Sequence, residues 1–132
     1  MRKKVKVMII ITSIVLVIGV GFGLSYLKRY NDYKSEVADI KIKEVNLNEI
    51  EDGVYVGEYD VDFISAKVQV EVKDNQIKVI EFIEYHHDRG EKAKSILQDM
   101  VDEQRIDVDT ISGATNSSKV IQKAVENALS GS

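Results

Sequence analysis

Four small residues, Ser112-Gly113-Ala114-Thr115, stand at the head of a segment in which Ile121, Ala124, Val125, Ala128 and Leu129 recur at helical spacing. A helix N-terminus presents N–H groups without intrahelical acceptors and the positive end of the peptide dipole, so a hydroxyl there sits where a phosphate is bound or esterified. Thr115 is the residue placed for that chemistry. A second reading needs no ligand: Ser and Thr are common N-caps, and Thr115, Ser117 or Ser118 would serve. The two readings are compatible.

A hydroxyl nucleophile acting as a hydrolase would need a general base. The histidines are the adjacent His86 and His87, and no nucleophile elbow of the G-x-S-x-G kind accompanies them. His86, His87 and Asp88 have the side-chain types of a metal site, but neighbours at a strand end point to opposite faces, which favours solvated or hydrogen-bonded loop histidines. The chain has no Cys, which excludes disulfides, thiolate metal sites, haem attachment through CxxCH and cysteine nucleophiles. Redox chemistry here must use an organic cofactor or a non-thiolate metal.

Among 132 residues with a net charge of −4, charge is distributed unevenly. Residues 1–34 hold seven Lys and Arg against Asp32 alone, a net +6 that leaves −10 for residues 35–132. An acidic domain behind a basic leader argues against nucleic acid as a partner, because phosphate neutralisation needs Lys and Arg clustered on the domain itself. From Val7 to Leu27 the 21 residues carry no charge, enough for a helix to cross a hydrocarbon core of ~30 Å. Four basic residues precede this run while Lys28 and Arg29 follow it, so the expected topology is N-terminus inside and domain outside. The same start fits a cleaved signal peptide, but the length of the run and the lack of an A-x-A-like site favour an uncleaved anchor.

The expected organisation is an anchor over 1–27, a juxtamembrane linker over 28–51, read as a helix or stalk, and a domain over 52–130. The domain opens with residues 54–60, where Tyr55 and Tyr59 share a face around Gly57. Residues 66–73 alternate apolar and polar, the mark of a strand with one buried face. Asp74-Asn75 predicts a tight hairpin into a third run from Ile77 to Tyr85. Ile77, Val79 and Ile83 on one face of that run and Ile80 and Phe82 on the other predict a central strand covered on both sides. After Gly90, the spacing of Ala93, Ile96, Leu97, Met100, Val101 and Gln104 predicts a helix with one apolar stripe, and a second helix ends near Ser130-Gly131. The fold class is therefore α+β: a small antiparallel sheet packed with two helices, preceded by one N-terminal transmembrane helix.

With its flanks Gln104 to Val108 and Asn116 to Ile121, the stretch Asp109-Thr110-Ile111-Ser112-Gly113-Ala114-Thr115 resembles the flavinylation motif of the FMN-binding domain. That domain occurs in the C subunit of the sodium-pumping NADH:quinone oxidoreductase, in the G subunit of Rnf complexes and in small membrane-anchored redox proteins. Asp52-Gly53-Val54-Tyr55-Val56-Gly57-Glu58-Tyr59 is similar to the family's opening, and Gly90-Glu91-Lys92-Ala93 resembles the Gly and basic segment before its first helix. The resemblance implies FMN as cofactor, joined to Thr115 through a phosphoester made by a separate flavin transferase that uses FAD and a divalent metal. Ser112, Gly113, Ala114 and Asp109 would form the rest of the attachment site, Asp109 orienting the loop by accepting N–H bonds. Tyr55, Tyr59, Phe63 and Tyr85 are candidates to stack on the flavin ring, or else plain core. The functional expectation is a single-pass, extracytoplasmic electron carrier at the cell membrane, serving membrane redox partners rather than turning over a substrate of its own. The chain is much shorter than the pump subunits, which points to a stand-alone carrier. Alternatives are a non-covalent FMN-binding or sensing module, and a cofactor-free anchored domain with Thr115 as a helix cap.

Overall fold

A computed structural model describes residues 2–87 and 90–131. In chain order the elements are helix α1 (Arg2–Asp39), strands β1 (Gly53–Asp60), β2 (Ser65–Lys73) and β3 (Gln76–His86), and helices α2 (Ile96–Glu103) and α3 (Thr115–Ser130). Short 3-10 turns occupy Leu47–Glu49 and Glu91–Ser95. Two compact units divide between Lys34 and Ser35.

In the first unit, the apolar part of α1 has no buried residue and is long and apolar enough to cross a membrane; among the described residues it is the one such helix. Its two hydroxyls are turned back on the helix: Thr12 Oγ1 donates to the Met8 carbonyl and Ser13 Oγ to the Ile9 carbonyl, each at 2.8 Å. That arrangement satisfies a hydroxyl where no water is present. The helix supports single-pass membrane anchoring.

The second unit is the expected α+β body. Its sheet is antiparallel in the order β1-β2-β3. The hairpin between β2 and β3 is the tight one expected: Lys73 pairs with Gln76 across Asp74 (φ 54°) and Asn75 (φ 61°), two residues that tolerate the left-handed conformation such turns demand. The third run is not the central strand that its apolar residues suggested. β2 is central, and β3 lies at the sheet's edge with Val79 and Ile83 exposed at 41% and 46%. Its apolar residues are also not split between two faces, because a pair of register shifts, after Lys67 and after Glu71, breaks the two-residue alternation. Ile77, Ile80, Phe82 and Tyr85 consequently turn to one face, opposite Val72, Val70, Val68 and Ala66, all four of which are buried.

Both body helices cover that inner face, α3 against β1 and β2, and α2 against β3. Gln104 does not extend α2 but ends it, in the left-handed conformation. Its amide then substitutes for a missing strand, accepting from Ile77 N and donating to Ile77 O, both at 2.8 Å. Helix α3 comes close enough to β1 that a Cβ on Gly57 would lie 2.2 Å from Ala128 N and 2.3 Å from the Ala124 carbonyl. Those are backbone atoms, so they cannot swing aside. Gly57→Ala should therefore destabilise the full chain by about 3 kcal/mol, the upper part of the usual overpacking range, as measured by denaturant unfolding of the detergent-solubilised protein.

Candidate functional site

Helix α3 begins at Thr115, and the residue in the N-cap position is Ala114 (φ −139°, ψ 39°), which supplies no side-chain cap. None of Thr115, Ser117 and Ser118 is the cap. Ser118 N is bonded to the Ala114 carbonyl at 2.9 Å and so begins the helical ladder, while the N–H groups ahead of it have no carbonyl four residues back within the helix. Thr115 is exposed, and among the described residues no hydrogen bond engages its hydroxyl. Before it, Gly113 takes φ 80°, a conformation glycine adopts at no steric cost, with open space on its Cβ side. Ser112 and Gly113 are exposed and Ala114 is buried. This end of α3 fits a phosphate: an uncapped positive terminus, small residues ahead of it, and a free hydroxyl as its first side chain.

The loop leading there is held from α3 itself. Ser118, Gln122 and Glu126 follow one another at intervals of four, so they form a row along the helix, and all three are buried. Ser118 Oγ donates to the Ala114 carbonyl at 2.7 Å and accepts from Ile111 N at 3.0 Å. Gln122 Nε2 donates to the carbonyls of Ile106 (3.1 Å) and Val108 (2.8 Å). Glu126 accepts from the backbone N–H of Lys43 and pairs with Lys123, whose ammonium also reaches the Lys41 carbonyl at 3.3 Å. From the other side, the Glu44 carboxylate accepts from Ile106 N at 3.1 Å and from Asp107 N at 2.5 Å. Asp109, expected to orient this loop by accepting N–H bonds, is exposed and accepts none among the described residues. That work falls to Ser118, Gln122 and Glu44. The signal in the sequence was Gln122 and Glu126 interrupting an apolar helix face; the part played by Glu44 had no local signal, because its partners lie 62 and 63 residues away.

An aromatic corner flanks the start of α3. Phe82 and Tyr85 stack nearly parallel at 4.6 Å, and His87 lies 4.5 Å from the Tyr85 ring. Tyr85 donates to the Gly90 carbonyl at 2.6 Å, and Gly90 N donates to His87 Nδ1 at 3.0 Å. His87 Nε2 is 3.3 Å from Glu91; Asp88 lies outside the described residues. A Cβ on Gly90 would fall 2.3 Å from Ser117 Oγ and 2.4 Å from Tyr85 Oη, so glycine at this position is what lets β3, this turn and the first turn of α3 meet. Of the four aromatic residues suggested for flavin stacking, Tyr85 is the one these contacts tie to that turn. Tyr55 instead donates to the Glu51 carbonyl. A groove of about 610 Å³ lies beside the later half of α3, lined by Lys41, Lys43 and Lys123 among others. It is open space at the far end of the helix from Thr115 and holds none of the motif.

Burial holds the Tyr85 phenol above its ordinary value of 10.0, the charge of Glu91 acts in the same direction, and a hydrogen bond with Ser117 opposes them. The folded phenol thus keeps its proton at a pH where the unfolded one loses it. The stability it contributes is complete below 10.0 and falls as pH rises through the raised value. Tyr85→Phe should cost about 1 kcal/mol at pH 7, from the lost bond to Gly90, and should show a shallower alkaline decline than the wild type in unfolding measured from pH 8 upward.

The FMN-binding domain family model matches residues 62–130, from the turn after β1 through the last turn of α3. No curated protein and no solved structure matches the chain. The matched stretch contains the uncapped helix end, the loop before it and the aromatic corner beside it. On the match and on that fit, the chain belongs to the FMN-binding domain family, and its cofactor is FMN.

Proposed function

We propose that Thr115 carries FMN as a phosphoester installed by a separate flavin transferase, and that the anchored domain relays electrons among membrane redox partners on the extracytoplasmic side. The observation that carries this reading is the Thr115 hydroxyl, exposed and unbonded at an uncapped helix terminus inside the matched domain. Thr115 contributes the ester oxygen: its O–H bond gives way to an O–P bond, FAD supplies the FMN half, AMP leaves, and the hydroxyl proton departs with it. The α3 terminus then faces the phosphate's negative charge with N–H groups and dipole, and Gly113 and Ala114 leave room for the transferase's approach. Bound FMN supplies one- and two-electron transfer. The chain supplies position, with the Tyr85 phenol kept neutral beside the same helical turn.

The excess of basic residues before the apolar run, four against the adjacent pair Lys28 and Arg29, supports placement of the domain outside. A tether suits that location, since a reversibly bound flavin would be diluted away while a covalent one stays at high effective concentration near its partners.

In membranes of cells that also make a flavin transferase, the wild type should show flavin fluorescence that survives denaturing electrophoresis, and Thr115→Ala should show none. Because Thr115 is neither cap nor core, the same substitution should change stability by no more than about 0.5 kcal/mol in thermal unfolding. Fluorescence persisting on the alanine variant would refute the assignment.

A further inference from the structure

The segment that follows the apolar helix makes contacts that a spacer would not. Residues 40–46 form neither helix nor strand between α1 and the first 3-10 turn, and their backbone and one side chain are tied to the folded body at three points. Glu126 of α3 takes the Lys43 N–H, Lys123 reaches the Lys41 carbonyl, and Glu44 takes the N–H groups of Ile106 and Asp107. The pattern is reciprocal: a carboxylate of the body holds the strap, and a carboxylate of the strap holds the loop. Gln122 grips the same loop from the opposite side through the carbonyls of Ile106 and Val108. Ile106 is therefore fixed at both its N–H and its C=O, nine residues before Thr115, by groups from two separate parts of the chain. The strap lies outside residues 62–130, the stretch that the family model covers.

We propose that Glu44 is a positioning residue for the acceptor loop, so that this juxtamembrane strap, and not the matched domain alone, sets the loop's geometry for flavin attachment. The proposal rests on the assignment of Thr115 as acceptor for its functional half. Its physical half, that the strap restrains the loop, stands on the contacts alone. Glu44 is itself exposed, so its removal leaves no cavity and strips only the acceptor from two backbone donors.

The test uses the full-length chain in detergent micelles, as Glu44→Ala and Glu44→Gln beside the wild type. Amide hydrogen exchange over residues 106–111 should be about tenfold faster in Glu44→Ala, with exchange in β2 and in the middle of α3 unchanged. Glu44→Gln keeps a carbonyl acceptor and should restore most of the protection, which a requirement for charge would not allow. With a flavin transferase and FAD added, initial transfer to Thr115 should fall about fivefold in Glu44→Ala at limiting acceptor, while the final yield matches wild type. Unchanged exchange in Glu44→Ala would overturn the proposal, as would faster exchange with an unaltered transfer rate. If the wild type itself takes no flavin, the Thr115 assignment fails, and the exchange comparison still decides whether the strap holds the loop.

Discussion

Burying irregular backbone is the constraint around which this domain is built. The chain between α2 and α3 passes against α3, and its peptide groups need partners there, since a buried donor or acceptor left unpaired costs roughly 1–3 kcal/mol. Ser118 and Gln122 supply them from one row of an otherwise apolar helix face, and Glu126 in the same row takes the backbone N–H of Lys43. Among the described residues no buried side-chain nitrogen or oxygen lacks a hydrogen bond. One helix thus does two jobs: Val120, Ile121, Ala124 and Val125 are fully buried, and the polar row next to them dictates where the loop must run.

Given that row, the position of Thr115 follows. Two glycines set how closely α3 meets the rest of the body, Gly57 near its C-terminal turns and Gly90 near its first. Ser118 closes the loop onto the helix one turn in, so the cap position falls to Ala114 and the first side chain of the helix is left pointing to solvent with its hydroxyl unused. Ser118 holds the loop without capping the helix, which leaves the terminus open to a ligand. That division of labour suits an anion site better than an ordinary Ser or Thr cap, which would occupy the N–H groups a phosphate needs.

Much of this was legible in the sequence, for stated reasons. The alternation in β2, the Asp74-Asn75 turn and the helical spacing of α3 are local signals, and each element formed where its pattern lay. The one-sided burial of β3 was not legible, because the register shifts at Lys67 and Glu71 depend on pairing between strands and overrode the periodicity of Ile77 to Tyr85. At the site, the start of α3 at Thr115 was legible, and the groups that hold the loop before it were not. Asp109 has the chemistry to orient a loop, yet the restraint comes from Ser118, Gln122 and a carboxylate some sixty residues earlier, a contact that no local pattern encodes.

The central claim concerns one oxygen atom. Cleavage after Arg105 and Lys119 isolates residues 106–119, a peptide with five hydroxyls, at Thr110, Ser112, Thr115, Ser117 and Ser118. Fragment-ion mass mapping of that peptide, from the full chain produced with a flavin transferase and again without one, tests the claim most directly. The account predicts a transferase-dependent gain of FMN minus water confined to Thr115. A gain on any of the other four hydroxyls, or flavin that leaves the protein on denaturation, would contradict it.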